Sequence, residues 1–400
     1  MNALEGIRVL DLTRLLPGAV ATQLLRDYGA EVIKIEPPEG DYARTLLTHH
    51  PDSATPGAAT FRERANATAE LHSSVTVPQP VESASPTSPI FQSTNRGKKS
   101  IVLNLKNPDH LQALLTLIET ADVLIEGFRP GVMQRLGLDY ETLHAHNPRL
   151  IVASLTGYGQ TGPNSNLAGH DLNYLSLAGV LDLIGPFNGP PVIPGVQIAD
   201  LAGGAFQAVI GILLALIARQ TTGQGQHVDI SMTDGAASLL TIPLATGAQS
   251  KRGADTLSGR YACYNVYRCN DGRWLAAGAL ETKFWKNLCR ELNREDLIAD
   301  QFSTEPRQSE LKSALRDIFA KRTAEEWFAL LGNKDCCVTP VRTVAEAARE
   351  IRTTPILSAT PARVDGIAPE LGQHTGEILH ERALPSSTSS CPPRHEDRNR

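Results

Sequence analysis

The 400-residue sequence predicts an α/β protein with a large domain built on an open parallel sheet and a smaller α+β domain. Stretches with strand character alternate with stretches of helical periodicity through the first half of the chain, which is typical of parallel β-α-β units. Near residue 257 the pattern changes to a hairpin followed by helices, which indicates a second domain. The 41% hydrophobic content allows a core for each.

The first β-α-β unit sets the character of the large domain. Its elements are a strand, a helix and a second strand, predicted at residues 7–12, 20–28 and 31–36. The turn over residues 13–18 has one glycine, whereas the dinucleotide-binding fingerprint requires three. We therefore expect a Rossmann-like large domain, over residues 1–222, that does not bind NAD.

The rest of the large domain contains one interruption. Residues 48–92 are rich in Ser, Thr, Pro and Ala, and we predict a flexible insertion there with a short helix at 61–71. Alternating elements then resume, with strands at 100–105, 122–126 and 150–155 and helices at 109–120, 131–136, 140–146 and 172–184. The apolar run 205–218 predicts a buried helix that is too short to span a bilayer.

Residues 223–256 are expected to link the two domains, with a strand at 227–230 and a helix at 232–240 that stops before Pro243. The small α+β domain is predicted over 257–340. It opens with a hairpin around Asn270-Asp271-Gly272, and its elements are strands at 264–268 and 274–278 and helices at 283–292, 309–320 and 324–331. A return segment to the large domain, 341–382 with a helix at 344–351, and a disordered tail, 383–400, complete the chain.

Composition excludes several functional classes. A net charge of −5 gives no reason to expect a nucleic-acid partner. Six cysteines without regular spacing predict neither a disulfide framework nor a metal site. Because the N-terminus enters a strand almost at once, we expect no signal peptide, no membrane association and a cytoplasmic location.

The candidate chemistry centres on Gly169-His170-Asp171, which follows a glycine-rich loop and begins a predicted helix. Acid and base side chains at a helix start are suited to proton transfer, because free backbone N–H groups there also stabilise developing negative charge. The simpler interpretation is a helix cap beside a surface histidine. Asp200 lies at a second helix start, where an ordinary cap is again the alternative.

Four motifs together make the chain resemble the class III CoA-transferase (CaiB/BaiF) family, and most closely its α-methylacyl-CoA racemase branch. The motifs are Leu4-Glu5-Gly6-Ile7-Arg8-Val9-Leu10-Asp11-Leu12, Asn95-Arg96-Gly97-Lys98-Lys99-Ser100, Glu126-Gly127-Phe128-Arg129-Pro130-Gly131 and Gly169-His170-Asp171-Leu172-Asn173-Tyr174. The resemblance covers about residues 4–47 and 91–345. It implies an interlocked homodimer whose active site lies between the large domain of one subunit and the small domain of the other.

The resemblance also implies the catalytic groups of a racemase. One base would be His170 supported by Glu281, and the other Asp200 with Asp171 nearby. Inverting a carbon beside a thioester carbonyl requires one group to remove a proton and another to return one on the opposite face. A second carboxyl near Asp200 favours the protonated acid that such a return requires.

Coenzyme A is implied as part of an acyl-CoA substrate, with no separate cofactor. The family places its contacts at positions that match Leu103, Asn104, Leu105, Lys106, Gly127, Phe128, Arg129, Arg135, Gly169, Asn173 and Tyr174. Arginine and lysine suit its phosphates. Racemases often carry a basic residue where this chain has Pro37. We therefore expect Arg44, Arg96 or Lys98 to provide part of the binding of the nucleotide.

Two other functions remain open. In the CoA-transferase branch a single aspartate, matching Asp171, attacks the thioester and forms a covalent intermediate. His170 before that aspartate, and Glu281 in Gly278-Ala279-Leu280-Glu281, favour the racemase. A CoA-thioester-binding protein without turnover is the third hypothesis, and the occupied acid/base positions argue against it.

Overall fold

A computed structural model describes residues 2–46, 88–247 and 249–380. Within these residues, six parallel strands form the sheet of the large domain, in the order β3-β2-β1-β4-β5-β6. The strands are β1 (Arg8–Asp11), β2 (Glu31–Glu36), β3 (Lys99–Val102), β4 (Val123–Glu126), β5 (Ile151–Thr156) and β6 (His227–Ser231). The predicted Rossmann-like parallel sheet is confirmed.

Helices cover both faces of this sheet. The first part of the large domain contains α1 (Leu16–Asp27), α2 (Pro89–Asn95), α3 (Pro108–Ile118), α4 (Val132–Arg135) and α5 (Tyr140–His146). After β5 come α6 (Asp171–Leu177), α7 (Val180–Leu183), a π-helical segment (Ala199–Ala205) and α8 (Phe206–Thr222). After β6 come α9 (Met232–Ala237), a 3-10 turn (Ser238–Leu240) and α10 (Thr241–Ala245).

Two apolar cores lie on opposite faces of the sheet. One joins side chains of β5 and β6 to α1, α6 and α8, among them Ala153, Ile230 and Ala208. The other joins the opposite face to α3 and α5. Burial on both faces explains why the strands are nearly continuous apolar runs rather than alternating patterns.

The smaller domain has a three-stranded antiparallel sheet, β7 (Tyr264–Arg268), β8 (Trp274–Gly278) and β9 (Val338–Pro340). Its helices are α11 (Thr282–Glu291), α12 (Arg307–Phe319) and α13 (Ala324–Leu331), with a 3-10 turn at Glu295–Asp300. Side chains from Ala262 to Val338 form a separate core around Trp285 and Phe319. The predicted hairpin is confirmed at both strands, and the small α+β fold with it.

Three of the predictions that differ from the structure concern the start, the end or the continuity of a helix. The helix expected at 172–184 is two helices, since Gly179 adopts a left-handed conformation (φ 78°) between them. The first helix begins at Leu16 instead of residue 20. Pro243 lies inside α10 near its start, where a missing N–H costs no helical hydrogen bond.

The predicted insertion 48–92 is wrong at its end, because α2 begins at Pro89, with Phe91 fully buried. The Ser88 hydroxyl caps this helix by accepting from the Ile90 N–H (3.2 Å). The rest of the insertion, including the helix predicted at 61–71, and the predicted tail 383–400 lie outside the described residues.

Residues beyond the small domain contact the large one. The His374 N–H donates to the Ser100 carbonyl (2.9 Å), and the Thr375 hydroxyl accepts from the Val102 N–H (3.0 Å). This part of the chain therefore lies along the edge strand β3. It includes α15 (Thr375–His380), while α14 (Val344–Ala347) is shorter than the helix predicted at 344–351.

The π-helical segment and α8 form a continuous helix of 24 residues, Ala199–Thr222, the one described helix long and apolar enough by length and composition to cross a membrane. Its inner face packs on β5, β6 and α1. Its outer face exposes large apolar side chains, among them Phe206 (46%), Leu214 (61%) and Ile217 (62%). The prediction of a buried helix is therefore wrong for this outer face.

Candidate active site

Asp171 and Asp200 meet where two helices begin. The Asp200 N–H donates to Asp171 Oδ1 (2.9 Å), so the carboxylate of Asp171 caps the π-helical segment while Asp171 itself begins α6. Both residues therefore lie where free backbone N–H groups favour negative charge. Asp200 is within the first turn and is not the capping residue of its helix, contrary to the simpler interpretation.

Glycines let the π-helical segment approach its neighbours. A Cβ on Gly203 would lie 2.5 Å from the Met232 carbonyl oxygen, and one on Gly235 would lie 2.0 Å from the Gly203 carbonyl oxygen. The segment and α9 therefore cross backbone to backbone. Widened π turns are frequent at functional sites, and this one presents Asp200 to Asp171.

The surroundings of Asp200 favour its protonated form. Burial and, after it, the charge of Asp171 raise the pKa of Asp200 to about 6, although the charge of His170 opposes them. The side chain is half-buried. A carboxyl group with this pKa can both donate and accept a proton near neutral pH.

The loop before α6 is fixed by two tyrosines. The Tyr174 hydroxyl donates to the Gly169 carbonyl (2.5 Å), and the rings of Tyr158 and Tyr174 meet edge to face at 5.2 Å. A Cβ on Gly169 would lie 2.5 Å from the Tyr158 hydroxyl, and one on Gly157 would overlap the Tyr174 ring. Glycine is therefore required at both positions for the loop to close over the rings.

His170 is the capping residue of α6 and is exposed. Its own N–H donates to the Asn173 side-chain oxygen (3.1 Å), which holds the start of the helix. Its charge acts on Asp200, so the structure brings together three of the four candidate catalytic residues: His170, Asp171 and Asp200.

Glu281 is exposed at the start of α11 in the small domain. Among the described residues of this single chain, no hydrogen bond or ion pair joins it to His170, Asp171 or Asp200. The pairing of Glu281 with His170 thus stays a prediction.

The residues expected to bind coenzyme A lie along the carboxyl edge of the sheet. Residues 103–106 follow β3, 127–129 follow β4, and α6 lies beyond β5. Because β3 and β4 are three strands apart, their loops are separated by about 14 Å. This edge is the usual ligand site of open parallel sheets, and here it suits an extended molecule.

The side chains of the residues expected to bind coenzyme A differ in their exposure to solvent. The side chains of Leu103 and Tyr174 are buried, and Tyr174 is committed to Gly169. Burial raises the pKa of the Tyr174 hydroxyl to about 12, with Asp200 adding to the effect and Arg129 opposing it. The cations Lys106, Arg129 and Arg135 are exposed at the edge.

The three cations expected to replace the missing one at Pro37 are held elsewhere. Arg44 forms a double hydrogen bond with Glu36 (2.6 and 2.7 Å), and Arg96 pairs with Asp27. Lys98 is fully buried, and its amine contacts Asp11 at 3.4 Å and the Thr22 hydroxyl at 2.7 Å. The expectation that these side chains help to bind the nucleotide of coenzyme A is therefore not supported.

Tyr158 is a site residue that the sequence interpretation did not single out. The one sequence signal for it was its position between Gly157 and Gly159.

No group of three or more His, Cys, Asp or Glu in the described part of the chain is arranged to hold a metal ion.

A parallel α/β domain with interacting acids and a histidine at its carboxyl edge defines an enzyme of acid–base or carboxylate chemistry. The sequence model of CoA-transferase family III matches residues 4–354. Human alpha-methylacyl-CoA racemase is 34% identical over 406 residues, which are 95% of this chain and 93% of that protein. Acetyl-CoA:oxalate CoA-transferase of Acetobacter aceti is 32% identical over 96% of each chain.

The fold gives the same relationship. The crystal structure of a CAIB/BAIF family protein from Brucella suis superposes with a TM-score of 0.77 at 29% identity, over 96% of this chain and 100% of that one. The chain belongs to CoA-transferase family III, as the four sequence motifs indicated. Its relatives include acyl-CoA racemases and CoA-transferases, so the protein is an enzyme of that family.

Proposed function

We propose that the protein is a racemase or epimerase of 2-methylacyl-CoA thioesters that acts by two-base transfer of the α-proton. The observation that carries the proposal is the position of Asp171 beside Asp200, where it accepts a hydrogen bond from the Asp200 backbone N–H (2.9 Å). Burial and the charge of Asp171 raise the pKa of the Asp200 side chain to about 6. A racemase requires an acid that is partly protonated near neutral pH, and a carboxylate beside it maintains that state.

In this mechanism His170 and Asp200 flank the α-carbon of the thioester. One removes the proton as its C–H bond breaks, and the electron pair moves to the carbonyl oxygen to form an enolate. The free N–H groups at the starts of α6 and of the π-helical segment stabilise that oxygen. The other group then delivers a proton to the opposite face. Asp171 acts by holding the charge and position of Asp200.

The nucleotide would extend along the carboxyl edge of the sheet. Arg129, Arg135 and Lys106 are the exposed cations there that suit its phosphates. Coenzyme A enters as part of the substrate, and the proposed reaction requires no further cofactor, because no electrons are gained or lost.

A CoA-transferase is the second candidate, and a specific observation favours it. Asp171 Oδ2 makes no hydrogen bond with any described residue, so this oxygen is available to attack a thioester carbonyl. Attack would break the C–S bond, release the CoA thiolate and leave a mixed anhydride. The thiolate would then attack the aspartyl carbonyl, release the donor carboxylate and form a thioester on Asp171. An acceptor carboxylate would attack this thioester and displace the thiolate to give a second mixed anhydride, and the thiolate would then attack the acceptor carbonyl, which yields the new acyl-CoA and restores Asp171.

Hydrogen exchange separates the two activities. The protein is incubated in D2O with each enantiomer of a 2-methylacyl-CoA, and α-deuterium and chirality are followed by mass spectrometry and chiral chromatography. A racemase incorporates deuterium and equilibrates the enantiomers. Absence of exchange, together with CoA transfer to an added carboxylic acid, would refute the racemase. Binding of CoA with neither reaction would indicate a non-catalytic protein.

Variants at the site sharpen this test. His170→Ala and Asp200→Asn should reduce exchange at least 100-fold, since each removes one proton-transfer group. The matched controls are His146→Ala and Asp317→Asn, which change exposed residues away from the site. Asp171→Asn keeps an oxygen for the Asp200 N–H but loses the charge. It should abolish transferase activity, but only shift racemase activity to lower pH, because Asp200 then loses the neighbour that raises its pKa.

We also propose an interlocked homodimer in which Glu281 of one subunit serves His170 of its partner. The exposed apolar face of α8 supports an association through this helix, and α10 adds Ile242 and Leu244, which are 60% and 61% exposed. Light scattering after size exclusion should give twice the mass of one chain. Leu214→Glu should lower that mass, whereas the neighbouring polar change Gln220→Glu should not.

A cytoplasmic location is proposed on the state of the cysteines. All five cysteines among the described residues are free, and four of them are buried. Free thiols in this number are typical of a reducing compartment. Fractionation of the expressing cell would test the location.

A further inference from the structure

Three polar side chains form a row across the carboxyl half of the sheet. Glu126 of β4 is the register partner of Ser154 in β5, and Ser154 is the register partner of Asp229 in β6. Register partners in parallel strands project from the same face of the sheet. We call Glu126, Ser154 and Asp229 the carboxylate row. None of these residues belongs to the proposed proton-transfer or phosphate-binding groups.

Glu126 is a buried acid, 2% exposed, whose hydrogen bonds go to the adjacent loop. Its Oε2 accepts from the Phe128 N–H (2.7 Å), and Ser154 also donates to its carboxylate. Burial raises the pKa of Glu126 and the charge of Asp229 adds to this, although the two hydrogen bonds oppose them. The acid thus fixes the backbone of residues 127–129, which contain Arg129.

Asp229 fixes a different loop. Both of its carboxylate oxygens accept from the Gln160 N–H, at 3.1 and 3.0 Å. Gln160 lies two residues after Tyr158, whose ring contacts Tyr174 below the start of α6. Asp229 therefore acts on the segment that closes over Gly169 and leads to His170 and Asp171.

The middle of the row is itself supported. Ser154 Oγ contacts His227 Nε2 at 2.9 Å, and the His227 ring stacks on Tyr140 at 5.7 Å. Ser154 is therefore in contact with an acid on β4 and a histidine on β6. Glu126 and Asp229 thus lie on either side of β5, each in contact with its own loop.

We propose that Glu126 and Asp229 are positioning residues for two separate halves of the active site. Glu126 sets the loop at residues 127–129 that receives the nucleotide, and Asp229 sets the loop at residues 157–162 that supports the proton-transfer groups. The assignment of ligand and reaction rests on the proposed function. The division between the loops rests on the hydrogen bonds of the row.

The division predicts different kinetic effects at the two ends. Glu126→Ala removes the acceptor of the Phe128 N–H and should weaken CoA binding and raise KM about tenfold, with little change in kcat. Asp229→Ala should lower kcat about tenfold and leave CoA binding within about twofold. Glu126→Gln and Asp229→Asn keep an oxygen acceptor and should restore most of each loss. Glu119→Ala, at an exposed acid after α3, is the matched control.

Three measurements on the purified full-length protein test this division of roles. Calorimetric titration with coenzyme A measures binding, and the deuterium exchange of a 2-methylacyl-CoA gives KM and kcat. Amide hydrogen exchange without ligand reports each loop directly. It should accelerate in peptides covering 127–131 for Glu126→Ala and 158–163 for Asp229→Ala. Glu126→Gln carries the same comparison if Glu126→Ala does not fold.

The outcomes separate this inference from the proposed function. Wild-type protein that binds no coenzyme A would refute the proposed function, while amide exchange would still decide whether the row positions the two loops. Equal effects of both alanine variants on KM and kcat would overturn the division of roles. Unchanged exchange in both loops would overturn the positioning itself.

Discussion

Replacing Asp200 by asparagine should change how the stability of the large domain depends on pH. Burial and Asp171 raise the pKa of Asp200 from 3.8 to about 6 in the folded protein, and unfolding returns it to its ordinary value. Between these values the folded state holds a proton that the unfolded state has released. The stability contributed by this group is therefore present at the acid end of the window and is lost as the pH rises through about 6.

The size of the effect follows from the two pKa values. Raising the pKa from 3.8 to about 6 corresponds to about 3 kcal/mol, at about 1.4 kcal/mol per pH unit. Because Asp200 is half-buried, solvent screening reduces this to roughly 1–2 kcal/mol. Asp200→Asn does not titrate in this window. Relative to wild type, it should gain about two-thirds of that amount between pH 4.5 and pH 8, because part of the change takes place below pH 4.5.

The assay must report on the correct domain. The three tryptophans, Trp274, Trp285 and Trp327, all lie in the small domain. Guanidinium unfolding should therefore be followed by far-ultraviolet circular dichroism, which includes the helices of the large domain, with tryptophan fluorescence as the internal comparison. A stability difference between variant and wild type that stays constant from pH 4.5 to pH 8 would refute the account of Asp200.

Three further changes test other parts of the structure. Gly203→Ala should destabilise the protein by at least about 2 kcal/mol in thermal unfolding, because the new Cβ would lie 2.5 Å from a backbone oxygen of α9, whereas Gly195→Ala has open space and should not. Lys98→Met should cost about 1–3 kcal/mol in denaturant unfolding, since it removes one of the two cations, Lys34 and Lys98, whose charges lower the pKa of the buried Asp11; an unchanged midpoint would contradict this. Tyr174→Phe should cost about 1 kcal/mol and should leave absorbance titration at 295 nm unchanged up to pH 11, because burial raises the pKa of this hydroxyl to about 12.

Elements with local determinants could be predicted from the sequence. The hairpin ends at the predicted residues because Gly272, with φ 77°, supplies the backbone conformation that its turn requires. The helix α13 has its predicted bounds, and the Thr323 side chain caps it. In such elements the residues that decide the bounds lie within a few positions of them.

Elements decided by distant contacts could not be predicted in the same way. Gly18 resembled part of a turn, but it lies in α1, where it packs so close to the Thr13 side chain that a Cβ would lie 2.3 Å from it. The start of α2 was assigned to the flexible insertion 48–92 because Ser and Pro are common in such segments. Ser88-Pro89 is, however, also a typical helix start. Only the burial of Phe91 distinguishes the two.

The candidate site was predictable in its residues and less so in its geometry. His170 and Asp171 were found through a motif and Asp200 through its position at a helix start, yet the contact between Asp171 and Asp200 is made by the Asp200 backbone N–H, which no side-chain pattern reveals. The carboxylate row was missed because its members lie far apart in sequence, and only the strand register aligns them.

The π-helical segment connects Asp200 to the packed helix α8, and its turns are wider than those of an α-helix. A π turn holds about one residue more than an α turn. Residues 199–205 therefore contain about one residue more than an α-helix of the same length would need. Deleting one residue there would let the segment tighten from π turns into α turns, so Asp200, Ala208 and Ile212 would all keep about their places, whereas the same deletion within α8 would turn the residues before it by about 100° about the helix axis. A deletion of one residue in this segment should therefore preserve the contact of Asp171 with Asp200, whereas a deletion of one residue in α8 should break it.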